Sequence, residues 1–300
     1  MLALDHAPTI RLVITDLDNT LYDWVRWYAR AVVSMTERAA AIMGCASEPL
    51  YDELRDAYAS RGSVEEPRAL LDLPLVLGHF GDRAAAGDAL EPALRAFAQP
   101  PADTLRTYDG VRTGLRQLAD LGVPVVGHTE ANAPNAMQRL RQLALERRMS
   151  ILFTSPSQRG RTDERGAMPQ PIAPAPEFVL RQLKPPLSKP NPATVLTICR
   201  QLDISPSEVL YVGDSLDRDI AMARGAGVWA AWARYGTQHD PDDWARLVSI
   251  THWTPAEVAR AERAVPSGEH PPHVTLESGF AEIFESFAFE PATEADAESA

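Results

Sequence analysis

The stretch Arg11-Leu-Val-Ile-Thr-Asp16-Leu-Asp18-Asn-Thr20 decides how this chain is interpreted. An apolar, β-branched run that is typical of a buried strand stops at two aspartates separated by one residue. In parallel α/β sheets, ligands bind just beyond the carboxyl ends of the strands. A turn after Asp16 would let both carboxylates face one reacting centre, which suggests nucleophilic and acid–base chemistry, usually with a metal. The alternative interpretation is a strand followed by an Asx turn or a helix N-cap.

A second acidic motif lies far downstream, in Val209-Leu-Tyr-Val-Gly213-Asp214-Ser-Leu-Asp-Arg-Asp219. Another strand-like run ends at Gly-Asp, and a helical pattern follows. Gly213 permits a sharp turn or a close approach of the backbone to another group. Asp214 is then expected at the end of the strand, and Asp219 at the same edge. The alternative is a helix cap followed by first-turn acids that the helix dipole favours.

Two further motifs lie between these acids. Gly122-Val-Pro-Val-Val-Gly-His-Thr129 is a short strand that ends in a hydroxyl, and Ser188-Lys189-Pro-Asn-Pro192 places a lysine just before a helix. Lysine is rare here, with 2 Lys among 29 Lys and Arg residues. A compact ammonium suits a phosphoryl oxygen as a point charge. Taken alone, Lys189 reads equally as a surface charge and Thr129 as a cap at the end of a strand.

The four motifs, in this order, resemble those of the haloacid dehalogenase (HAD) superfamily of phosphohydrolases. The resemblance covers about residues 9–21 and 107–234. It implies an α/β fold, in which a Rossmann-like, doubly wound parallel sheet forms the core and an α-helical cap of the C1 type is inserted. The chain departs from the family pattern at Glu130, because relatives often carry Asn after the hydroxyl of the second motif.

The domain organisation follows from the same resemblance and from the local patterns. Residues 1–21 and 107–290 are expected to form the core, and the helical pattern of 22–106 is expected to form the cap. Within the core, the proline-rich segment 155–188 is predicted to be a flexible insertion that includes, at most, a short helix at 177–183.

Two more segments lie towards the carboxyl end of the chain. Residues 238–272 are an extra segment, with a short strand predicted at 247–250 and a helix after Pro255. A last strand and helix are expected near 273–288. The acidic, alanine-rich tail 291–300 is predicted to be disordered.

Composition excludes several classes of function. A net charge of −12 argues against a nucleic-acid-binding surface. Two cysteines, Cys45 and Cys199, do not suggest a disulfide framework, and no stretch has the length or apolarity of a membrane span. A soluble cytoplasmic protein is therefore expected, and its oligomeric state is left open. Four arginines that follow the motif ending at Thr129 are expected to form a solvated helix face: Arg139, Arg141, Arg147 and Arg148.

The resemblance also implies a role for each motif residue. Asp16 would attack phosphorus and form an aspartyl-phosphate. Asp18 would protonate the leaving oxygen and later accept a proton from water. Thr129 and Lys189 would bind the phosphoryl oxygens.

The metal site is predicted from charge balance as well as from the family. Four acids, Asp16, Asp18, Asp214 and Asp219, are expected at one sheet edge, and like charges about 4 Å apart repel by roughly 4 kcal/mol at an effective dielectric of 20. A divalent cation would relieve this repulsion, and an all-oxygen site favours Mg²⁺. Asp16, the main-chain carbonyl of Asp18 and Asp214 would bind the ion, with Asp219 as ligand or support.

The predicted function is that of a Mg²⁺-dependent phosphomonoester hydrolase acting on a small phosphorylated molecule. A carboxylate at Asp18 disfavours dehalogenation, because dehalogenases of the superfamily lack an acid there. Two alternatives remain open. One is a sugar-phosphate mutase, in which the phosphoryl group passes to a second hydroxyl. The other is a regulatory module without turnover that binds partners through 155–188.

Overall fold

The computed structural model describes residues 7–101, 103–155, 179–182, 188–262 and 271–291. Most of the predicted flexible insertion lies outside these residues. The predicted disordered tail, apart from its first residue, lies outside them as well.

Nine strands lie within the described residues. They are β1 (Thr9–Ile10), β2 (Leu12–Thr15), β3 (Val125–Asn132), β4 (Ile151–Ser155), β5 (Val179–Gln182), β6 (Val209–Gly213), β7 (Trp229–Ala233), β8 (Val274–Leu276) and β9 (Ala288–Phe289).

Seven of these strands form one parallel sheet in the order β5-β4-β3-β2-β6-β7-β8, and β1 pairs in parallel with β9. Every residue of β2 and β6 is buried, as expected for central strands covered on both faces. The chain runs from β2 outward to β5 and then returns to β6 on the other side of β2. This reversal confirms the predicted doubly wound topology, and it places the binding crevice beyond the ends of β2 and β6.

Twelve α-helices lie within the same described ranges. They are α1 (Trp24–Met43), α2 (Glu48–Arg61), α3 (Pro74–Phe80), α4 (Arg83–Ala89), α5 (Glu91–Ala98), α6 (Val111–Asp120), α7 (Ala133–Gln142), α8 (Pro192–Gln201), α9 (Ala221–Ala226), α10 (Pro241–Ile250), α11 (Pro255–Ala261) and α12 (Ile283–Ser286). No helix in these described ranges combines the length and the hydropathy that a membrane span requires.

The chain divides into two compact units. One contains Met1–Asp23, Thr107–Gln238 and Ala264–Ala300, and the other contains Trp24–Arg106 and His239–Arg263. The first unit holds the sheet and the second is helical. This division differs from the expected one, because 239–263 was assigned to the core.

Contacts inside the helical unit explain this difference. The Arg30 guanidinium forms a bidentate ion pair with the buried carboxylate of Asp243 on α10, with Nε to Oδ1 at 2.9 Å and Nη2 to Oδ2 at 3.0 Å. Farther along the chain, Arg55 on α2 donates to the Ser249 carbonyl at 2.9 Å. Both contacts join residues about 200 positions apart. Local patterns in the sequence do not reveal contacts between residues so far apart.

Two local predictions were wrong. Residues 247–250 belong to α10 and not to a strand, because Asp240 caps this helix by accepting hydrogen bonds from the N–H groups of Asp242 and Asp243. Residues 179–182 form the edge strand β5 and not a helix, since they pair in register with β4.

The His273 imidazole lies beside β7 and gives a pH prediction. Its Nδ1 accepts from the Ala230 N–H at 2.9 Å, Arg224 contacts Nε2, and its ring lies 4.6 Å from that of Trp229. Burial and the charge of Arg224 lower the pKa of His273 to about 4. Because the folded state binds this proton less tightly than the unfolded state does, stability is expected to fall as pH drops from about 6.5 to about 4.

The measurement is the unfolding temperature of the wild-type chain and of His273→Asn, an amide that retains an acceptor oxygen. The difference between the two proteins is expected to change between pH 6.5 and 4 and to be constant above pH 7. Parallel curves throughout this range would contradict the assignment.

Candidate active site

The turn after β2 carries the first two acids. The Asp16 N–H donates to the Val212 carbonyl at 2.9 Å, so pairing with β6 continues one residue beyond β2. The chain then reverses through Asn19, which has φ 58° and whose N–H donates to the Tyr22 carbonyl at 2.9 Å. Asparagine tolerates this left-handed conformation better than most residues. The chain therefore leaves the extended conformation after Asp16, so the strand alternation that would direct the Asp18 side chain away from Asp16 does not apply.

A second loop packs against this turn. Gly236 lies in the 3-10 turn Arg234–Thr237, and a Cβ atom at Gly236 would overlap the carbonyl oxygen of Asn19. The neighbouring Tyr235 donates from its hydroxyl to the Thr20 carbonyl at 2.8 Å. Neither residue belongs to a motif of the sequence. Their effect is to fix the position of the turn from the side of β7.

Gly213 ends β6 in close contact with Asp219. A Cβ atom at Gly213 would lie 2.5 Å from the Cβ of Asp219, so only glycine fits. The Asp219 carboxylate accepts from the Ser215 N–H at 3.1 Å and from the Tyr211 hydroxyl at 3.2 Å. These contacts hold Asp219 at the edge of the sheet, as the motif predicts. Both of its oxygens accept hydrogen bonds from protein donors.

Lys189 joins the two acidic motifs. Its side chain is 4% exposed, its ammonium contacts the Asp16 carboxylate, and it lies 2.7 Å from Oδ1 of Asp219. Asp16, Asp214 and Asp219 each place a carboxylate oxygen within 4.8 Å of the others. The structure therefore brings together four of the six predicted site residues. Lys189 lies three residues before α8, as the motif predicts, and Asn191 caps this helix.

The charges of this cluster do not balance. Three carboxylates face one ammonium. Burial, only partly offset by Lys189, raises the pKa of Asp16 to about 7. Burial and the charge of Asp16 raise the pKa of Asp214 well above its usual value. Burial alone would lower the pKa of Lys189, but the charges of Asp16 and Asp219 outweigh it and raise this pKa.

A hard divalent cation fits this excess of negative charge. The available donors are carboxylate oxygens, which Mg²⁺ prefers. Asp16 and Asp214 are the acids whose pKa values show that their charges are poorly compensated. The oxygens of Asp219, in contrast, already accept from Lys189, Tyr211 and a main-chain N–H. This arrangement suits Asp219 to supporting the site rather than to direct ligation.

Asp18 lies on the other side of the turn and contacts Arg139. The Arg139 Nη2 lies 3.2 Å from Oδ2 of Asp18, and Nε donates to the Tyr22 hydroxyl at 3.2 Å. Burial and the charge of Asp18 raise the pKa of Tyr22 well above its usual value. The prediction of a solvated arginine face was wrong for Arg139, which is 1% exposed. Its partner is 121 positions away in the sequence.

Thr129 lies on β3, at the same edge of the sheet. It lies two residues after Gly127, which pairs with Thr15 at the end of β2. Its side chain is buried, and Oγ1 accepts from the Ala131 N–H at 3.0 Å. Pairing between β3 and β4 becomes irregular between His128 and Asn132, so the strand extends past the predicted end. The adjacent Glu130, where the chain departs from the family pattern, forms an ion pair with Arg218.

A buried hydrogen-bonded chain behind the cluster was not predicted. The Tyr211 hydroxyl donates to Asp219, and it lies 3.0 Å from Nδ1 of His128. Burial and the charge of Lys189 lower the pKa of His128 well below its usual value, so the imidazole is neutral. Since the hydroxyl hydrogen faces Asp219, Nδ1 of His128 is the donor to Tyr211. The sequence signals were His128, where β3 turns from apolar to polar residues, and Tyr211 within the apolar β6.

Comparison with known proteins gives a family match along most of the chain. The sequence profile of the haloacid dehalogenase-like hydrolases matches residues 10–227. A 2-haloacid dehalogenase from Pseudomonas syringae pv. tomato DC3000 has a similar fold, with a TM-score of 0.53 and 19% identity over 92% of this chain and 97% of that one.

Several curated proteins with similar sequences are named phosphatases. The N-acetylmuramic acid 6-phosphate phosphatase of Pseudomonas aeruginosa is 46% identical over 68 residues, which is 22% of this chain and only 30% of the relative. A glyceraldehyde 3-phosphate phosphatase from Methanopyrus kandleri is 27% identical over 77% of this chain and 87% of its own length. A phosphoglycolate phosphatase from Chromobacterium violaceum is 28% identical, with 76% and 86% covered.

Proposed function

Because the chain belongs to the haloacid dehalogenase-like hydrolases, we propose that it hydrolyses a small phosphomonoester, with Asp16 as the nucleophile. The observation that carries the proposal is the convergence of Asp16, Lys189 and Asp214 beyond the ends of β2 and β6. The phosphatase relatives that align along three quarters of the chain support this class of reaction.

The proposed reaction has two steps. In the first, an Asp16 oxygen forms a bond to phosphorus as the bond to the leaving oxygen breaks, and Asp18 gives its proton to that oxygen. In the second, a water oxygen bonds to phosphorus, the bond to Asp16 breaks, and the water proton returns to Asp18. Inorganic phosphate is released and both aspartates regain their initial state.

Lys189 and Thr129 are the proposed ligands of the phosphoryl oxygens. The ammonium of Lys189 already lies against Asp16, so a phosphoryl group that approaches Asp16 also approaches this positive charge. Such a fixed donor stabilises charge that develops in the transition state without reorganisation. Thr129 would add a hydroxyl donor from the neighbouring strand.

Mg²⁺ is the proposed cofactor, held by the Asp16 carboxylate, the Asp18 main-chain carbonyl and Asp214, with Asp219 in support. When bound, it would neutralise phosphoryl charge as a Lewis acid. The uncompensated charge at Asp16 and Asp214 supports this choice. The helical unit is the proposed cap, and its side chains would select the substrate.

The test is phosphate release from p-nitrophenyl phosphate by the purified chain in Mg²⁺. We expect turnover that EDTA abolishes and added Mg²⁺ restores. Mg²⁺ should also raise the unfolding temperature of the EDTA-treated protein, because a bound ligand stabilises the folded state. Undiminished activity in EDTA would remove the metal from the proposal. Absence of release from every ester tested, with a folded protein, would contradict the function.

The substrate itself requires a comparison of kcat/KM across phosphorylated metabolites. Phosphoglycolate, glyceraldehyde 3-phosphate and N-acetylmuramic acid 6-phosphate are the first candidates, because they are the substrates in the names of the relatives. Interconversion of sugar-phosphate isomers without phosphate release would instead indicate a mutase. The cytoplasmic location stays a prediction.

A further inference from the structure

Arg139 is an arginine in a position where arginine is costly. It lies on α7 among the buried residues Ala136, Met137 and Leu140, and it is 1% exposed. An ionised guanidinium is stable in such surroundings only when it is paired and hydrogen-bonded. Arg139 therefore has a partner that the fold supplies.

The partner is the Asp18 carboxylate, and the geometry is specific. Nη2 of Arg139 lies 3.2 Å from Oδ2 of Asp18, while Nε donates to the buried Tyr22 hydroxyl at 3.2 Å. The Tyr22 backbone accepts from Asn19 and forms an isolated bridge with Asp18, so tyrosine and aspartate belong to the same turn. One planar guanidinium thus contacts both ends of this turn. A lysine does not have two donors in a fixed relative orientation.

We propose that Arg139 is a positioning residue, which holds the Asp18 carboxylate in the orientation needed for proton transfer to the leaving oxygen. The inference rests on the proposed function, because Asp18 is the acid of that reaction. Arg139 itself stays protonated and makes no bond to substrate. The orientation of a general acid matters because proton transfer needs hydrogen-bond geometry in the transition state.

The inference predicts a dependence on the leaving group. A p-nitrophenolate leaves readily without a proton. A phenolate is more basic, so its departure depends more strongly on proton transfer from an acid. Loss of positioning at Asp18 should therefore reduce kcat/KM for phenyl phosphate more than for p-nitrophenyl phosphate. A residue that only stabilises the fold would change both esters by the same factor.

The experiment measures kcat/KM for these two esters with the full chain in Mg²⁺. For Arg139→Met we expect a loss of about 10²-fold on phenyl phosphate and about 10-fold or less on p-nitrophenyl phosphate, since general acid catalysis contributes about 10²–10⁴-fold. The exposed Arg116 on α6 gives the matched control, and Arg116→Met should behave as the wild-type chain does. A loss that is equal for both esters, or no loss, would overturn the inference.

A double variant shows whether Arg139 acts through Asp18. If it does, Asp18→Asn with Arg139→Met should be no slower than Asp18→Asn alone, because the second change has nothing left to position. Additive losses would overturn the inference. Should Arg139→Met fail to fold, Tyr22→Phe removes the hydroxyl that contacts Nε of Arg139 and also hydrogen-bonds Asp18, and a smaller loss with the same preference for phenyl phosphate is expected. Equal losses on both esters in Tyr22→Phe would also overturn it.

Failure of the proposed function gives a different result. In that case the wild-type chain has no phosphatase activity, or Asp16→Asn retains it. With an active wild-type chain and an inactive Asp16→Asn, the comparison of esters tests Arg139 alone.

Discussion

Replacement of Asp16 by Asn is expected to reduce kcat for p-nitrophenyl phosphate by on the order of 10⁴-fold or more, because the loss of a covalent nucleophile removes both steps of the proposed reaction. An amide has the size of the carboxylate but does not form the bond to phosphorus. The measurement is steady-state phosphate release in Mg²⁺, together with trapping of phosphorylated protein from the wild-type chain by rapid acid quench.

The fold should survive this change. Burial raises the pKa of Asp16 to about 7, so at pH 8 without metal its ionised form is unfavourable in the folded state. A neutral side chain removes this cost, and the unfolding temperature of Asp16→Asn should be no lower than that of the wild-type chain under these conditions. Asp120→Asn, at the exposed end of α6, is the matched control and should retain activity. Wild-type turnover by Asp16→Asn would refute the mechanism.

Replacement of Lys189 by Met should impair both stability and activity. The variant leaves Asp16 and Asp219 without the ammonium that contacts both, and breaking a buried ion pair from one side costs about 3–5 kcal/mol of unfolding free energy. Loss of a preorganised donor to the phosphoryl group should lower kcat/KM by about 10²–10³-fold. Denaturant unfolding in EDTA and steady-state kinetics in Mg²⁺ measure the two effects.

Added Mg²⁺ separates the role of charge from that of packing. If the cation binds at the same acids, it should recover more stability in Lys189→Met than in the wild-type chain, because the variant has one positive charge fewer. Arg116→Met removes an exposed cation from α6 and should change neither quantity. Unchanged stability of Lys189→Met in EDTA would show that the ammonium does not offset the buried carboxylates.

Much of the fold was predictable because its determinants are local. Apolar runs that end in acids or hydroxyls identified β2, β3 and β6, and the family resemblance that these motifs carried is confirmed by the family match. Parallel strands bring their carboxyl ends to one edge, so the meeting of Asp16, Asp214 and Asp219 followed from the topology. Their chemical roles stay predictions until the variants are measured.

The remaining features depend on contacts between distant parts of the chain. A solvated face was the reasonable interpretation of Arg139, since its partner Asp18 is far away in the sequence. One local sign was its spacing of three residues from the buried Ala136. The strand that was wrongly predicted at 247–250 could have been recognised as a helix from the local sequence, because Asp240 before Pro241 is a typical start of a helix.

The contact between Gly236 and the turn at Asn19 has a consequence for how this chain tolerates variation. Any β-carbon at Gly236 would displace the Asn19 carbonyl and with it the turn that directly follows Asp16 and Asp18. In a randomised library selected for turnover, glycine would be retained at 236 as strictly as aspartate at 16. The first would be kept for want of space and the second for its chemistry, so frequency alone would not tell an inert spacer from a reacting group.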